Sequence, residues 1–400
     1  MIAADLTGIP VQRIRDGVMA VGVDIFCQEI LQGMLRLGKE QDFALIITKA
    51  QAPYMAKIFP EYRRCILPFP YLPLYWLTRV IEKITKGRNS GFNMISRLMK
   101  PFKYLALLRL ERRVGGLDVL WCPYATPGTT YRTPMPVVYT IHDLIPFHDP
   151  AASEKTRTKY RKMLDRAYLT TISAYVRDEI AANCQKTADE IAVIPNAVTV
   201  TTQQQPVEGL QEKRYILDIN AYANRKNPMT LLRAYEQIAQ QTGLDLVFCG
   251  YDVDGYIHQF RAVAEKSPFA DRLHVLSGVS APQRNWLLRQ CAVFVTPSLD
   301  EGFGRTPVEA AICQVPVLST KCTSLLEATQ GLVHYVDDPL DPDEYAQKLL
   351  DMISTPDPQT KLADIAQRLR SEYSIENCAA KYWNLFQNVI EKERKPHVRL

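Results

Sequence analysis

Residues 292–320 read AVFVTPSLDEGFGRTPVEAAICQVPVLST, a stretch that contains a strand, a turn, a helix and a second strand. The apolar run of residues 292–296 predicts the first strand, and that of residues 315–319 predicts the second. Between them a helix is expected to begin at Pro307 with Thr306 as its N-cap, because proline is favoured at the first helical position. A strand, a helix and another strand in this order form a βαβ unit, so the stretch predicts a parallel sheet.

The same alternation of short apolar runs and helical patterns occurs in both halves of the chain. In the first half we predict strands at residues 2–6, 44–48, 119–121, 137–141, 170–173 and 191–194. In the second half we predict strands at residues 215–219, 245–249, 273–276, 293–296, 315–319 and 333–336. The sequence therefore predicts an α/β protein with two doubly wound, Rossmann-like parallel sheets, in which ligands bind beyond the carboxyl ends of the strands.

The length of 400 residues also favours two domains, because single cores rarely grow beyond about 300 residues. We assign residues 1–196 to an N-terminal domain and residues 214–374 to a C-terminal domain. The polar residues 197–213 are interpreted as the linker. Residues 375–400 are predicted to form a C-terminal helix that can pack back on the first domain.

Composition excludes several classes of protein. With 47% hydrophobic and 23% charged residues, the chain is neither disordered nor collagenous. The nine cysteines form no C-x-x-C pair, which favours free thiols in a reducing compartment, and the N-terminus resembles no signal peptide. The net charge is +5, but residues 57–113 hold thirteen Lys or Arg and three Glu, a net charge of +10.

The turn at residues 297–309 carries the candidate chemistry. Glu301 and Glu309 flank Gly302 and Gly304 at the end of a predicted strand. A strand-to-helix turn offers free backbone N–H groups to a phosphate, and glycines let a ligand approach the backbone. Two simpler interpretations remain open, since Glu301 can be a solvated loop carboxylate and Glu309 can close a capping box with Thr306.

Carboxylates beside a phosphate site would repel the phosphate unless they faced neutral hydroxyls. A nucleoside diphosphate sugar has a ribose on one side of its pyrophosphate and a hexose on the other. Two glutamates that flank one turn could therefore hold both sugars.

The pattern E-x7-E with GFG inside it, followed by Ser324-Leu-Leu-Glu327, resembles the retaining GT-B glycosyltransferases of family GT4, and the resemblance covers nearly the whole chain. It implies two Rossmann-like domains that face a central cleft. It also implies that Glu301 and the amides of Phe303 and Gly304 contact the transferred sugar, and that Glu309 binds the ribose. The donor-binding residues implied in this turn are Gly302, Phe303, Gly304, Arg305, Thr306 and Glu309.

Arg225 and Lys226 precede a predicted helix that begins at Pro228. Two cations at a helix N-terminus oppose the helix dipole, so they are either solvated surface charges or partners of an anion. The resemblance implies that they bind the pyrophosphate and act in catalysis. The glycine that family members usually have six residues before this lysine is Asn220 here, and Asn220 is retained as a donor-binding candidate.

Three features of the first half complete the predicted site. His142 follows the strand at residues 137–141, and the resemblance implies that it faces the donor sugar, although a lone histidine there can be a plain loop residue. Gly22 corresponds to a phosphate-side and acceptor-side glycine of the family, and Asp24 stands where the second glycine is usual, as an acceptor contact or an N-cap. Pro195 and Asn196 match the end of the family's domain-closing strand.

Asp252 and Asp254 form a D-x-D motif, which binds a metal in the other large glycosyltransferase fold. The duplicated βαβ halves argue against that fold. We predict no cofactor and no metal, with the pyrophosphate neutralised by Arg225, Lys226 and helix N-termini.

The resemblance thus implies a retaining, metal-independent hexosyltransferase that uses a nucleoside diphosphate sugar and acts in surface polysaccharide synthesis. The motifs HDLIP and RKN look most like those of bacterial family members that add mannose or related sugars, so the resemblance favours mannose or a related hexose and a GDP-sugar rather than a UDP-sugar. The alternatives are a nucleotide-sugar epimerase and a non-catalytic nucleotide-sugar-binding protein. Aromatic and basic residues within 57–113 predict binding to an anionic membrane surface on the cytoplasmic face, with a lipid-linked or glycan acceptor and no nucleic acid. A solvated basic helical face is the alternative for that segment.

Overall fold

The computed structural model describes residues 1–9, 22–66, 108, 111–112, 115–125, 133–148, 152–253 and 255–394. The chain forms two compact units. The first comprises residues 1–172, 176–197 and 375–400, and the second comprises residues 173–175 and 198–374. The C-terminal helix therefore belongs to the first unit.

The first unit contains a parallel sheet with seven strands among the described residues. The strands are β1 (Ile2–Asp5), β2 (Phe43–Ile47), β3 (Arg63–Ile66), β4 (Val119–Cys122), β5 (Val137–Ile141), β6 (Tyr168–Thr171) and β7 (Ile191–Val193). Their order is β3-β2-β1-β4-β5-β6-β7, and every pair is parallel. The order reverses at β1, which places a topological switch point between β1 and β4.

Helices of the first part of the chain are α1 (Gly22–Arg36), α2 (Ala52–Ile58), α3 (Ile145–His148), α4 (Glu154–Leu164) and α5 (Ala174–Asn183). The C-terminal helix, Ile375–Arg394, packs on α1 in the core of the first unit. The two helices approach so closely that a Cβ atom on Gly33 would lie 2.4 Å from Cβ of Ala379. Only glycine fits this crossing without displacement of one helix.

The second unit contains a parallel sheet of six strands in the order β10-β9-β8-β11-β12-β13. The strands are β8 (Tyr215–Ile219), β9 (Asp245–Gly250), β10 (Leu273–Ser277), β11 (Val293–Thr296), β12 (Val317–Thr320) and β13 (His334–Val336). The helices are α6 (Pro228–Thr242), α7 (Tyr256–Ala264), α8 (Ala281–Gln290), α9 (Arg305–Ile312), α10 (Leu325–Ala328), α11 (Pro342–Ser354) and α12 (Gln359–Glu372). This is the strand order of a Rossmann fold, with its switch point between β8 and β11.

The structure differs from the sequence-based expectation in several elements. Strand β6 begins two residues earlier than predicted and β12 begins two residues later. Strand β3 was not predicted, because its residues RRCI begin with two exposed arginines. As an edge strand, β3 tolerates charges that a central strand would bury. Helix α9 begins at Arg305 with Gly304 as its N-cap, rather than at Pro307 with Thr306 as its cap.

The segment interpreted from the sequence as a linker, residues 197–213, forms no helix or strand, and its residues 198–213 belong to the second unit. Asn285 of α8 donates from Nδ2 to Oγ1 of Thr201 at 2.5 Å, and Val207 and Leu210 are buried. Within the part of the chain that the structure describes, no helix is both long and apolar enough to cross a membrane.

Candidate functional site

The candidate site lies at the switch point of the second sheet. Strands β8 and β11 are neighbours there, and both point their carboxyl ends to the same edge. Asn220, Arg225 and Lys226 follow β8, and the turn at residues 297–304 follows β11. The parallel sheet therefore brings the two predicted motifs together, although about 75 residues separate them in the chain.

Lys226 and Glu301 form an ion pair between Nζ and Oε1. Lys226 is only 5% exposed, so the interpretation as a solvated surface charge is wrong for this residue. Burial lowers the pKa of Lys226, and the carboxylate of Glu301 partly offsets that effect. Arg225 is exposed, and its Nη1 donates to the carbonyl oxygen of Asp300 at 3.1 Å. The predicted phosphate cations thus differ, since one is buried and paired and the other remains accessible.

The backbone of the turn is held by hydroxyl groups. The amide of Glu301 donates to Oγ1 of Thr323 at 3.0 Å, and Oγ of Ser324 donates to the Glu301 carbonyl oxygen at 2.8 Å. Oγ of Ser173 donates to the carbonyl oxygen of Gly302 at 2.8 Å. These bonds orient Glu301 through its main chain and leave its carboxylate to Lys226.

Gly304 meets two requirements of the turn. Its φ is +89°, in the left-handed region that favours glycine, and a Cβ atom there would lie 2.5 Å from Cδ2 of Leu325. Phe303 beside it is buried and meets the ring of Tyr373 edge-on, with the ring centroids 5.3 Å apart. The side chains of Leu325 and Tyr373 therefore pack against the turn and hold its backbone in one conformation.

Glu309 lies on α9 between two arginines. Its Oε1 accepts from Nε of Arg305 at 2.7 Å, and its Oε2 is paired with Nη2 of Arg284. Burial raises the pKa of Glu309, but the charges of Arg284 and Arg305 outweigh it, so that its pKa lies below the usual value. Because both oxygens are engaged by guanidinium groups and α9 is capped by Gly304, the capping box with Thr306 is wrong. Thr306 lies in the first turn of α9 and is partly exposed.

A second buried carboxyl, Asp218, lies in β8 and interacts electrostatically with both Lys226 and Glu301. Its Oδ1 accepts from Nδ2 of Asn220 at 2.7 Å. Burial raises the pKa of Asp218 to about 7, while Asn220 and Lys226 oppose the increase. The backbone of Asn220 is also tightly enclosed, because a Cβ atom on Gly250 would lie 1.7 Å from its carbonyl oxygen.

The candidate site residues from the first half of the chain lie in the first unit. His142 follows β5, and its Nε2 is 3.0 Å from the carbonyl oxygen of Pro123. A carbonyl only accepts, so the proton of a neutral ring is on Nε2, and burial lowers the pKa of His142 and favours that neutral form. Gly22 is exposed at the start of α1, whereas Asp24 is buried inside the first turn of α1 and is not its N-cap. Asn196 is buried after β7.

The D-x-D motif is only partly described. The two carboxylate oxygens of Asp252 accept from amides at the start of α7, from Gly255 at 3.0 Å and from Ile257 at 2.9 Å. Asp254 lies outside the described residues. Across the described ranges, no group of three or more His, Cys, Asp or Glu side chains is arranged to hold a metal ion.

Sequence reasoning missed Arg284, Asp218, Thr323 and Ser173 as neighbours of the site. Asp218 carried a usable signal, because it is the single charged residue in the strand YILDI. Arg284 carried none, since an arginine near the start of a helix is ordinary. Only the position of α8 near α9 brings Arg284 to Glu309.

Two family profiles match this chain over adjoining regions. Residues 22–202 match the profile described as Glycosyltransferase Family 4, and residues 200–369 match the profile described as Glycosyl transferases group 1. Together they cover both units from α1 to α12. The second match contains every candidate residue of the switch-point site.

Individual relatives are similar at modest identity. The chain is 29% identical over 270 residues to "O-antigen chain mannosyltransferase B" of Escherichia coli, which covers 62% of this chain and 70% of that protein. It is 25% identical over 184 residues to "O-antigen chain mannosyltransferase RfbU" of Salmonella typhimurium, which covers 45% of this chain and half of that protein.

Solved structures agree on the fold. The crystal structure of Anabaena Alr3699/HepE in complex with UDP and glucose superimposes with a TM-score of 0.66 and 14% identity, over 96% of this chain and 99% of that one. The strand orders, the two profiles and this likeness lead to one conclusion. The chain is a glycosyltransferase of family 4 with the GT-B fold.

Proposed function

We propose that this protein transfers mannose or a related hexose from a nucleoside diphosphate sugar to a hydroxyl of a glycan or lipid-linked acceptor, in the synthesis of a surface polysaccharide. The names of its relatives from E. coli and Salmonella support the sugar and the pathway class. The observation that carries the proposal is the buried pair of Lys226 and Glu301 at the switch point, beside the glycine turn at residues 302–304. We favour a GDP-sugar as the donor.

The proposed roles follow the chemistry of each group. Lys226 and Arg225 bind the pyrophosphate, and Glu309 accepts hydrogen bonds from the ribose hydroxyls. Glu301 and the amides of Phe303 and Gly304 hold the hexose. The remaining donor-site residues are Gly22, Asn220, Gly302, Arg305 and Thr306, and we assign His142 to the donor sugar.

In the proposed reaction, the bond between the anomeric carbon and the diphosphate oxygen breaks. The acceptor oxygen bonds to that carbon from the same face, and its proton passes to the leaving diphosphate. The configuration of the sugar is therefore retained. Negative charge accumulates on the diphosphate in the transition state, where Lys226 and Arg225 stabilise it electrostatically. Because these cations supply the charge, we propose that no metal is required.

The test has a binding arm and a turnover arm. A screen of GDP, UDP, ADP and dTDP by thermal denaturation identifies the base, since a ligand at a hundred times its dissociation constant stabilises by about 2.7 kcal/mol. GDP-mannose is then incubated with and without a bacterial lipid extract, in excess EDTA. We expect transfer only with the extract. Release of an altered sugar without acceptor would indicate an epimerase. Binding of the nucleotide without any product would indicate a non-catalytic protein. Activity that is lost in EDTA and restored by manganese would indicate a metal-dependent enzyme.

We further propose that the basic residues 57–113 hold the enzyme on an anionic membrane surface on the cytoplasmic side. The support is the sequence alone, a net charge of +10 beside aromatic residues, because residues 67–107 lie outside the described ones. Co-sedimentation with anionic liposomes is expected to fall as salt rises and to be weak with neutral liposomes. Binding that ignores lipid charge and salt would contradict the proposal.

A further inference from the structure

Asp218 and Asn220 form a hydrogen-bonded polar pair at the carboxyl end of β8, and none of the proposed roles uses Asp218. Asp218 is 3% exposed in the central strand of its sheet, where a carboxyl group normally appears only with strong partners. Asn220 donates to it at 2.7 Å and lies 3.5 Å from Oγ1 of Thr296, the last residue of the neighbouring strand β11. The pair therefore joins the two strands that form the switch point.

The charges around Asp218 do not balance when all groups are ionised. Lys226 carries one positive charge, while Asp218 and Glu301 together carry two negative charges in a buried region. The other titratable groups that act on Asp218 or are acted on by it are Tyr222, Cys249 and Tyr345. Burial raises the pKa of all three, so they stay neutral near pH 7. One carboxyl of the cluster is thus poised to exchange a proton with solvent.

We propose that Asp218, held by Asn220, is a positioning residue of the donor site that takes up one proton from solvent when a diphosphate binds at Lys226. This inference rests on the proposed function. An anionic ligand engages the ammonium group of Lys226, which until then helped to keep Asp218 ionised, and it adds negative charge of its own. Both changes favour the protonated form of Asp218. The proton neutralises a carboxylate that would otherwise repel the diphosphate.

The experiment is calorimetric titration of the full chain with GDP-mannose at pH 7.5, in several buffers of different ionisation enthalpy. Both phosphates of GDP-mannose are esterified, so the ligand itself exchanges no proton near this pH. We expect the wild type to take up a large fraction of one proton and Asp218→Asn to take up close to none. The matched control is Asp252→Asn, an exposed carboxyl at the same edge of the sheet, whose replacement keeps an acceptor oxygen for the amide of Ile257 and gives up the bond from Gly255.

The affinity gives an independent readout. Between pH 7 and 8.5 the dissociation constant of the wild type is expected to rise by up to tenfold per pH unit, and that of Asp218→Asn to change much less. Asn220→Ala removes a bond that favours the ionised carboxyl, so it should shift the pH midpoint upward. Binding with equal proton uptake in wild type and Asp218→Asn overturns the inference and leaves the proposed function intact. Absence of any nucleotide binding by the wild type overturns both.

Discussion

Lys226→Met is expected to weaken binding of the nucleoside diphosphate by roughly 10- to 100-fold, because charge-assisted hydrogen bonds to phosphate contribute about 1.5–3 kcal/mol. The same change leaves the carboxylate of Glu301 without its ammonium partner in a site where Lys226 is 5% exposed. Breaking one partner of a buried pair costs about 3–5 kcal/mol of folding free energy. Affinity is measured by calorimetry and stability by urea denaturation.

A double-mutant cycle separates the two effects. Glu301→Gln removes the negative charge, so the double variant Lys226→Met with Glu301→Gln should recover much of the lost stability. It should not recover diphosphate binding, since the ammonium group is still absent. Arg225→Gln provides a comparison, because the exposed Arg225 is expected to affect binding without a comparable loss of stability. Equal diphosphate affinity before and after Lys226→Met would contradict the assigned role.

Glu309→Gln is expected to show the second large effect, a loss of roughly 3–5 kcal/mol of stability at neutral pH. Glu309 is 5% exposed, and its carboxylate pairs with both Arg284 and Arg305, so the replacement removes the negative charge that both guanidinium groups share. Because its folded pKa lies below the unfolded value, its contribution is present above an unfolded pKa of about 4.3 and is lost as pH falls through the folded pKa. The difference between wild type and variant should therefore shrink on acidification below pH 4.

The proposed role of Glu309 in ribose binding is tested with two nucleotides that differ in their ribose hydroxyls. Glu309→Gln should weaken binding of GDP more than binding of its 2′,3′-dideoxy analogue, because only the former offers hydroxyls to the carboxylate. Thr306→Ala is the stability control, since a capping box would make it costly, whereas α9 is capped by Gly304 and the cost should stay near 0.5 kcal/mol. Equal losses of affinity for both nucleotides would mean that Glu309 acts only through the fold.

Much of the fold could be predicted from the sequence. The runs at residues 137–141, 215–219 and 293–296 are strands with the predicted bounds, because a strand buried on both faces reads as a continuous apolar run. The edge strand β3 escaped this reasoning, since an edge does not demand apolar residues. Helix α9 begins two residues before the predicted start, because Gly304 caps it in a left-handed conformation. The preference of proline for the first helical position had favoured a start at Pro307.

The candidate site, like the fold, could be predicted from the sequence only in part. Local chemistry in the sequence pointed to Glu301, Glu309, Arg225 and Lys226, because carboxylates, cations and glycines at strand ends are unusual enough to be noticed singly. Sequence could not tell which of these groups are paired. That Lys226 is buried against Glu301, or that Glu309 holds Arg284, depends on strands and helices that are neighbours only in space.

The sequence by itself determined the two parallel sheets and the residues at the carboxyl ends of their strands, because apolar periodicity and turn chemistry act between near neighbours in the chain. Only the tertiary structure decided the charge state of the site. The pKa of Asp218 rises to about 7 because β8 is buried in the centre of its sheet, and that of Glu309 falls because α8 brings Arg284 to it. Burial and charge pairing are properties of packed elements, and no local pattern of residues records them.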